Sequence, residues 1–227
     1  MKLLTLLAVF LTLIGCHKSY KIENNQVIYY YYNDAFKLQH RVLSKADNKS
    51  FKVLQSGYAI DKNHAFYRGE ILPLANPRNL EVFADVYAKD DKNVYFGDSI
   101  ILGAESESFE LIENSVYSKD RNDYYFFGTP LHVSDKPSFV LFDSDYGYWA
   151  KDKNFYYFKD LKLPLKDYRS FTPIGEGYAK DRFKVYYEHI AIDGADPDTF
   201  KALPNEKGED KFGKYRRETK LIDVSKI

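Results

Sequence analysis

Aromatic and apolar positions recur along this chain with a period of about 30 residues. In each period one aromatic residue stands three positions before an aspartate, and another stands five positions after it. The residues before the aspartates are Tyr58, Tyr87, Tyr117, Trp149 and Tyr178; the aspartates are Asp61, Asp90, Asp120, Asp152 and Asp181; the residues after them are Phe66, Tyr95, Tyr125, Tyr157 and Tyr186. The same register continues at Asp210 and Tyr215. Self-similarity of this kind predicts a tandem repeat array.

A second element keeps the same register and lies 14 residues after its aspartate wherever both are present. Its clearest copies are Ala46 to Phe51, Ala104 to Phe109 and Ala195 to Phe200. The two elements together predict five clear units, a weaker sixth unit and a divergent start around Asn24 to Tyr32. Atypical first and last units are common in repeat arrays because these units cap the stack.

Each unit is predicted to run strand, turn, strand, turn, short strand. Segments such as Asp91-Lys92-Asn93 favour turns because Asp and Asn side chains bond to nearby backbone groups. Alternation places Val94 and Phe96 on one face and Tyr95 on the other, so a single hairpin cannot bury itself. We therefore expect an all-β fold of tandem hairpin or three-strand repeats, stacked as an open solenoid-like array. A closed propeller-like ring is the alternative, although its four-stranded blades usually need about 40 residues.

The first 16 residues predict export. Lys2 precedes an apolar run, Leu3 to Ile14, as in a secretory signal peptide. The run is too short to cross a bilayer as a helix. The sequence Leu13-Ile14-Gly15-Cys16 resembles the bacterial lipobox, which implies cleavage before Cys16 and lipid attachment to its thiol. The alternatives are an ordinary signal peptide that happens to end in Cys and an uncleaved anchor.

This interpretation sets the expected boundaries. Residues 1–15 are the signal peptide, 16–45 the lipidated N-terminus and divergent first unit, 46–217 the repeat domain and 218–227 a C-terminal tail, with a short helix near Glu218 to Ser225 as an option. The expected location is the bacterial cell envelope, with the lipid on Cys16 in the membrane. By analogy with the lipobox family, His17 after the cysteine implies the outer membrane in a cell that has one.

The repeat itself resembles the DKNYY family. Asp91-Lys92-Asn93-Val94-Tyr95 and Asp152-Lys153-Asn154-Phe155-Tyr156-Tyr157 carry the resemblance, which covers about Phe51 to Tyr187 with weaker flanks. The unit at Asp181-Arg182-Phe183-Lys184 departs from the pattern because it has no Asn. The resemblance implies repeats on an exported protein and brings no established activity or active-site residues.

Composition adds three constraints. Basic and acidic residues balance at 33 each, so nucleic acid is not an expected partner. The 21 Tyr and 17 Phe residues favour strands. Cys16 is the single cysteine, so the body of the protein has neither disulfides nor thiolate zinc sites.

Two sets of residues are candidates for binding. The repeat aspartates Asp61, Asp90, Asp120, Asp152, Asp181 and Asp210 fit turns better than calcium loops, and Asp193, Asp196 and Asp198 come closest to calcium spacing. The consecutive tyrosines Tyr29, Tyr30, Tyr31 and Tyr32 are the candidate ligand-binding aromatics, because four rings in a row cannot all face inward. The aromatic residues five positions after each aspartate are expected to form core.

Enzyme motifs are scarce. The five histidines are scattered, and Gly175-Glu176-Gly177 lacks the third glycine of a dinucleotide loop. The glutamates Glu105, Glu107, Glu110 and Glu113 fit a solvated edge better than an acid/base pair. No catalytic residue, cofactor or metal site is predicted.

The expected function is therefore a non-catalytic envelope lipoprotein whose aromatic repeat surface binds a protein or a cell-wall glycan. The first alternative is a hydrolase or metal-dependent enzyme acting on envelope polymers. The second is a structural spacer.

Overall fold

The computed structural model describes residues 19–222 apart from Asn114, residues 143–147, Pro164 and Lys166. Over this part the chain consists of strands and turns, with one short 3₁₀ helix at Lys136–Ser138 and no α-helix. None of the described helices is long and apolar enough to span a membrane. The strands form seven small antiparallel sheets in chain order, which confirms the predicted all-β tandem array.

The chain divides into two compact units, and the first ends at Ile100. The first sheet has three strands: β1 (Ser19–Glu23), β2 (Gln26–Tyr32) and β3 (Leu38–Val42). The second sheet comprises β4 (Lys52–Val53), β5 (Tyr58–Ile60), β6 (Ala65–Tyr67) and β7 (Glu70–Ile71). The third sheet comprises β8 (Glu81–Ala84), β9 (Tyr87–Lys89), β10 (Val94–Phe96) and β11 (Ser99–Ile100).

The second compact unit begins at Ile101 and carries four sheets of four strands. The fourth sheet comprises β12 (Glu110–Leu111), β13 (Tyr117–Lys119), β14 (Tyr124–Phe126) and β15 (Thr129–Pro130). The fifth comprises β16 (Val140–Leu141), β17 (Trp149–Lys151), β18 (Tyr156–Phe158) and β19 (Leu161–Lys162). The sixth comprises β20 (Thr172–Gly175), β21 (Tyr178–Lys180), β22 (Val185–Tyr187) and β23 (Ile190–Ile192). The seventh comprises β24 (Lys201–Leu203), β25 (Lys207–Asp210), β26 (Gly213–Arg216) and β27 (Thr219–Lys220).

The prediction of three strands per unit was wrong by one strand. In the second sheet the additional strand is β4, where Lys52 pairs with Ile60 and Val53 pairs with Ala59. A strand of two residues shows no alternation of apolar and polar positions, so the residue pattern alone does not predict it. Because the outer strands are so short, four strands fit into about 30 residues, and the argument from repeat length against four-stranded units fails.

The two ends of the chain also differ from the central units. Asn24 and Asn25, both at positive φ, form the two-residue turn that joins β1 to β2. Such a turn suits the twist of a hairpin, and Asn tolerates that backbone conformation. At the other end Thr219–Lys220 pairs with β26. The prediction of a helix near Glu218 is therefore wrong for the residues up to Ile222. Residues 223–227 lie outside the described residues.

Within each compact unit, the hydrophobic cores lie between consecutive sheets. Tyr58 packs with Ala88 and Tyr95 of the third sheet, whereas Ala59 beside it packs with Val27 of the first sheet. A strand thus presents a large ring on one face and a small side chain on the other. The small residue leaves room for rings from the neighbouring sheet, which produces close packing on both faces.

The second compact unit repeats this arrangement. Trp149 packs with Phe171, which directly precedes the sixth sheet, and Ala150 packs with Tyr117 of the fourth. Tyr178 packs with Phe200 near the seventh sheet. Each sheet that lies between two others of the same compact unit is therefore buried on both faces, and it depends on its neighbours for most of its hydrophobic stabilisation.

Tyrosine hydroxyls extend these contacts to backbone oxygens of the following sheet. Tyr58 donates to the carbonyls of Val86 (2.8 Å) and Gly97 (3.1 Å). Tyr178 donates to the carbonyls of Glu206 and Arg217, each at 3.0 Å. These bonds satisfy the polar end of a buried ring and fix its position relative to the next turn.

One buried hydroxyl provides a test of this packing. Ser118 occupies the small-residue position, its Oγ is buried, and that oxygen has no hydrogen-bond partner among the described residues. Ser118→Ala is expected to raise the free energy of unfolding by about 1 kcal/mol, because it removes an unsatisfied polar atom. The reciprocal change in the next sheet, Ala150→Ser, should lower it by a similar amount. Urea unfolding of both variants measures the difference, and equal effects of the two changes would contradict the interpretation.

Candidate functional site

The aspartate of each repeat lies at the turn between the two middle strands of its sheet, and Asp210 is the last residue of the strand before that turn. In the fifth sheet, Asp152 Oδ1 accepts hydrogen bonds from the backbone N–H groups of Asn154 and Phe155, both at 2.7 Å. The hydroxyl of Tyr157 donates to Asp152 Oδ2 at 2.9 Å. One carboxylate thereby closes the turn and holds the buried ring five residues later.

The same carboxylate reaches back to the segment that precedes its sheet. Oδ2 of Asp152 accepts bonds from the backbone N–H groups of Ser134 and Asp135 at 3.0 Å and from the Ser134 hydroxyl at 2.7 Å. Asp152 is almost fully buried. Burial raises the pKa of Asp152, but the bonds from Ser134, from two turn amides and from Tyr157 outweigh burial and lower that pKa to about 2.

The other repeats use the same geometry. Every repeat aspartate accepts two backbone N–H bonds from the residues two and three positions later: Asp61, Asp90, Asp120, Asp152, Asp181 and Asp210. A tyrosine hydroxyl donates to all of them except Asp61, where Phe66 occupies the corresponding position. A backbone N–H from the preceding segment reaches Asp61, Asp90, Asp120 and Asp210 as it does Asp152.

The residue after the repeat aspartate forms a second link to the same preceding segment. Lys153 pairs with Asp135 at 3.0 Å, and equivalent pairs join Lys62 to Asp47, Arg121 to Glu105, Arg182 to Asp167 and Lys211 to Asp196. In the third sheet Asp91 stands at the position of the base and Asn76 at the position of the acid. The Asn76 side-chain amide donates a hydrogen bond to Asp91 at 3.4 Å. The basic side chains of these pairs are largely exposed to solvent, so the pairs contribute more to register than to stability.

These contacts determine what the aspartates can do chemically. Their oxygens are engaged by protein donors, and Asp196, one of the residues closest to calcium spacing, pairs with Lys211 at 2.7 Å. No group of three or more His, Cys, Asp or Glu within the described ranges is arranged to hold a metal ion. The geometry of the aspartates is that of turn-closing carboxylates.

The four consecutive tyrosines lie on two different faces of the first sheet. Tyr29 is buried, and its ring lies 4.8 Å from the ring of Tyr20 and 6.1 Å from that of Tyr31. Tyr30 is on the other face and donates its hydroxyl to Glu23 at 2.9 Å. Tyr32 is exposed. Alternation along the strand thus prevents the four rings from forming a single platform.

Cys16, the predicted lipidation residue, lies outside the described residues.

Three of the four glutamates in the cluster, Glu105, Glu107 and Glu110, pair with bases. Glu105 and Glu107 both contact Arg121, at 2.6 and 2.7 Å, and Glu110 contacts Lys119 at 3.1 Å. Hydrogen bonds from Ser108 and Arg121 lower the pKa of Glu105. A general acid must stay protonated and therefore needs a raised pKa. The lowered pKa of Glu105 instead favours its charged form.

A groove that the sequence did not reveal lies against the sixth sheet. Its volume is about 540 Å³, and its lining residues are Leu163, Leu165, Asp181, Phe183, Lys184, Tyr186, His189 and Ala191. Both oxygens of Asp181 are engaged, Oδ1 by backbone amides and Oδ2 by Tyr186. The groove therefore offers ring faces, aliphatic side chains, a lysine and a histidine to a ligand. Its volume is within the usual range for small-molecule sites.

Phe183 is the residue that marks this groove in the sequence. It stands two positions after the repeat aspartate, where Asn154 stands in the preceding unit, and it is 63% exposed. The Arg182 guanidinium carbon lies 4.9 Å from the centre of its ring. Phe212 is the equivalent residue of the next unit and is 58% exposed, with Lys211 Nζ 4.9 Å from its ring centre. In the sequence, the sign of this groove is that Phe183 replaces the Asn of the repeat pattern.

Comparison of the sequence with known protein families finds a match over most of the chain. The family model described as the DKNYY family matches residues 20–160 and, in a second overlapping match, residues 87–219. This chain belongs to the DKNYY family. No curated protein and no solved structure matches it. In the DKNYY repeats described above, the two clearest motif copies differ in register by one residue: Asp152 closes its own turn, whereas Asp91 follows the turn-closing Asp90.

Removal of one turn carboxylate tests its structural role. Asp152→Asn is expected to lower the free energy of unfolding by about 3 kcal/mol, because an amide N–H₂ would face groups that themselves donate. Asp160→Asn, at an exposed turn of the same sheet, is the matched control and should change it by less than about 0.5 kcal/mol. Urea unfolding measures both values. Equal destabilisation by the two variants would refute the assignment.

The lowered pKa of Asp152 also predicts a pH dependence. The pKa of Asp152 in the folded chain, about 2, is below the ordinary value of 3.8. Its contribution to the free energy of unfolding is therefore complete above about pH 4 and is lost as the pH falls toward 2. The loss amounts to about 2 kcal/mol. Urea unfolding between pH 5 and 2.5 should show a steeper decline for the wild-type chain than for Asp152→Asn. Parallel curves would show that Asp152 is not the responsible group.

Proposed function

We propose that this DKNYY-family protein is a non-catalytic, lipid-anchored envelope protein whose repeat surface binds a partner. The groove lined by Phe183, Tyr186, Lys184 and His189 carries this proposal. It combines aromatic faces with nitrogen-bearing side chains, at a position where the repeat geometry itself requires neither an exposed ring nor a histidine. The carboxylate in its lining, Asp181, already serves to close the turn.

A cell-wall glycan is the partner class that this groove fits best. The apolar faces of sugar rings pack against aromatic side chains, and sugar hydroxyls accept hydrogen bonds from groups such as the lysine ammonium. A concave site with a few polar groups is the usual form of a small-ligand site. The groove volume of about 540 Å³ accommodates a short saccharide rather than a folded protein surface.

The proposed location rests on the sequence of the N-terminus. Leu13-Ile14-Gly15-Cys16 supports cleavage before Cys16 and lipid attachment to it. The lipid would hold the repeats at the membrane surface of the envelope, at the outer membrane in a cell that has two. An anchored binding module in this position meets cell-wall polymers.

A protein partner is the second candidate, and the exposed rings favour it. Phe183 and Phe212 occupy equivalent turn positions in consecutive units of the array, each beside a cationic side chain. Aromatic residues and arginine are enriched at protein interfaces. A protein that contacts both turns would use Phe212, which does not line the groove, as well as Phe183.

Co-sedimentation with purified, protein-free cell-wall sacculi distinguishes the two partners. The mature lipoprotein in mild detergent should pellet with sacculi, and Phe183→Ala should weaken this binding about tenfold, because a ring contact contributes about 1.4 kcal/mol. Phe212→Ala is the matched control and should bind as the wild type does. Circular dichroism and urea unfolding verify that both variants are folded.

Each result of this assay has a defined meaning. Failure of the wild-type protein to pellet would end the glycan proposal and favour cross-linking in the membrane to capture a protein. Equal losses for the two variants would show that the groove is not the binding site. Tyr32→Ser tests the exposed member of the tyrosine run in the same assay, whereas substitution of Tyr29 would damage the core.

A further inference from the structure

The first sheet places the start of the described chain beside one hairpin tip. Ser19, the first residue of β1, pairs with Tyr30 of β2. From Tyr30 the strand continues to Tyr32, and the loop 33–37 then leads into β3. The chain therefore enters the sheet at the end where this loop turns back.

The side chains at that tip are apolar and exposed. Phe36 is 87% exposed, and Leu38 and Tyr32, which are cross-strand partners, are also exposed. Tyr32 and Leu38 lie on the face opposite to the one on which Tyr29 packs into the core. The second sheet covers the face of the first sheet that carries Tyr29. Tyr32, Phe36 and Leu38 are therefore outside the core between these two sheets.

The backbone of the loop is largely satisfied within the turn. Asn33 donates its N–H to the Lys37 carbonyl at 3.0 Å, and Phe36 donates to the Asn33 carbonyl at 2.9 Å. The Asn33 side-chain oxygen accepts bonds from the N–H groups of Ala35 and Lys37. Four of the five backbone N–H groups from Asn33 to Lys37 are thereby paired. Because few of its backbone donors are unpaired, transfer of this turn from water to an apolar medium costs little hydrogen-bonding free energy.

Charge and chain length favour a lipid surface over other occupants. The loop carries one acid and one base, Asp34 and Lys37, so it neither needs nor avoids anionic lipids. Cys16 precedes Ser19 by three residues, which span at most about 11 Å when fully extended. A lipid on Cys16 would hold the tip close to the bilayer.

We propose that this hairpin tip, formed by Phe36, Tyr32 and Leu38, inserts into the bilayer interface as a second membrane contact. The inference rests on the lipid anchor of the proposed function and extends it. A single lipid anchor does not fix the orientation of the body, whereas an inserted apolar tip beside it fixes which end of the first sheet faces the membrane. Aromatic and aliphatic side chains at a loop tip suit the interfacial region of a bilayer.

Fluorescence quenching by brominated lipids tests the insertion. The full mature lipoprotein is reconstituted into neutral phosphatidylcholine vesicles with brominated acyl chains, and Phe36→Trp places the reporter at the tip. Leu74→Trp is the matched control: Leu74 is 84% exposed and has φ 57°, against 55° for Phe36. The native Trp149 is buried and contributes the background that is measured on the wild-type protein.

The expected result is a several-fold larger loss of fluorescence for Phe36→Trp than for Leu74→Trp. No quenching at position 36, or equal quenching at both positions, would overturn the inference. A tip that binds a protein instead would also give no quenching in protein-free vesicles. The mass of the mature chain reports acylation at Cys16 separately: an unacylated chain removes the anchor and this inference together. An acylated chain without quenching removes this inference alone.

Discussion

The buried carboxylate in the turn of each repeat is the interaction on which this array depends. One oxygen of Asp152 closes its own turn, and the other binds the preceding segment and the Tyr157 ring. A single side chain thus fixes local backbone, core position and the junction to the previous unit. Its negative charge is tolerated in a buried place because several donors converge on it. The same set of bonds recurs at Asp120 and Asp210 and imposes a nearly constant repeat length.

The packing of the sheets follows from this constant register. Because each turn is held in place, a large ring such as Tyr58 or Trp149 meets a small residue of the next sheet within the same compact unit. Gly208 shows how narrow the space is, since a Cβ atom there would lie 2.3 Å from the Phe200 ring. A sheet of two- to four-residue strands has little stability by itself, so the array is stabilised by contacts between neighbours.

This construction leaves turn tips and edges as the surface for function. Within a repeat most positions are committed to the turn, the core or the ion pair to the preceding segment. Positions that depart from the pattern without a structural reason therefore carry the most information about binding. Phe183 beside the groove is of this kind, since it is an exposed ring where Asn154 stands in the preceding unit. Phe36 is likewise an exposed ring, at the hairpin tip of the atypical first sheet.

The sequence by itself determined the period, the repeat aspartates and the all-β class, because a repeated aromatic and turn pattern is local information. It also pointed to the family, through the segments at Asp91 and Asp152. Only the tertiary structure revealed the fourth strand, because a two-residue strand such as Lys52–Val53 is defined by its partner and not by its own pattern. The same reason applies to the groove and to Tyr29: burial and concavity arise when segments distant in the chain meet, and the order of residues does not specify those contacts.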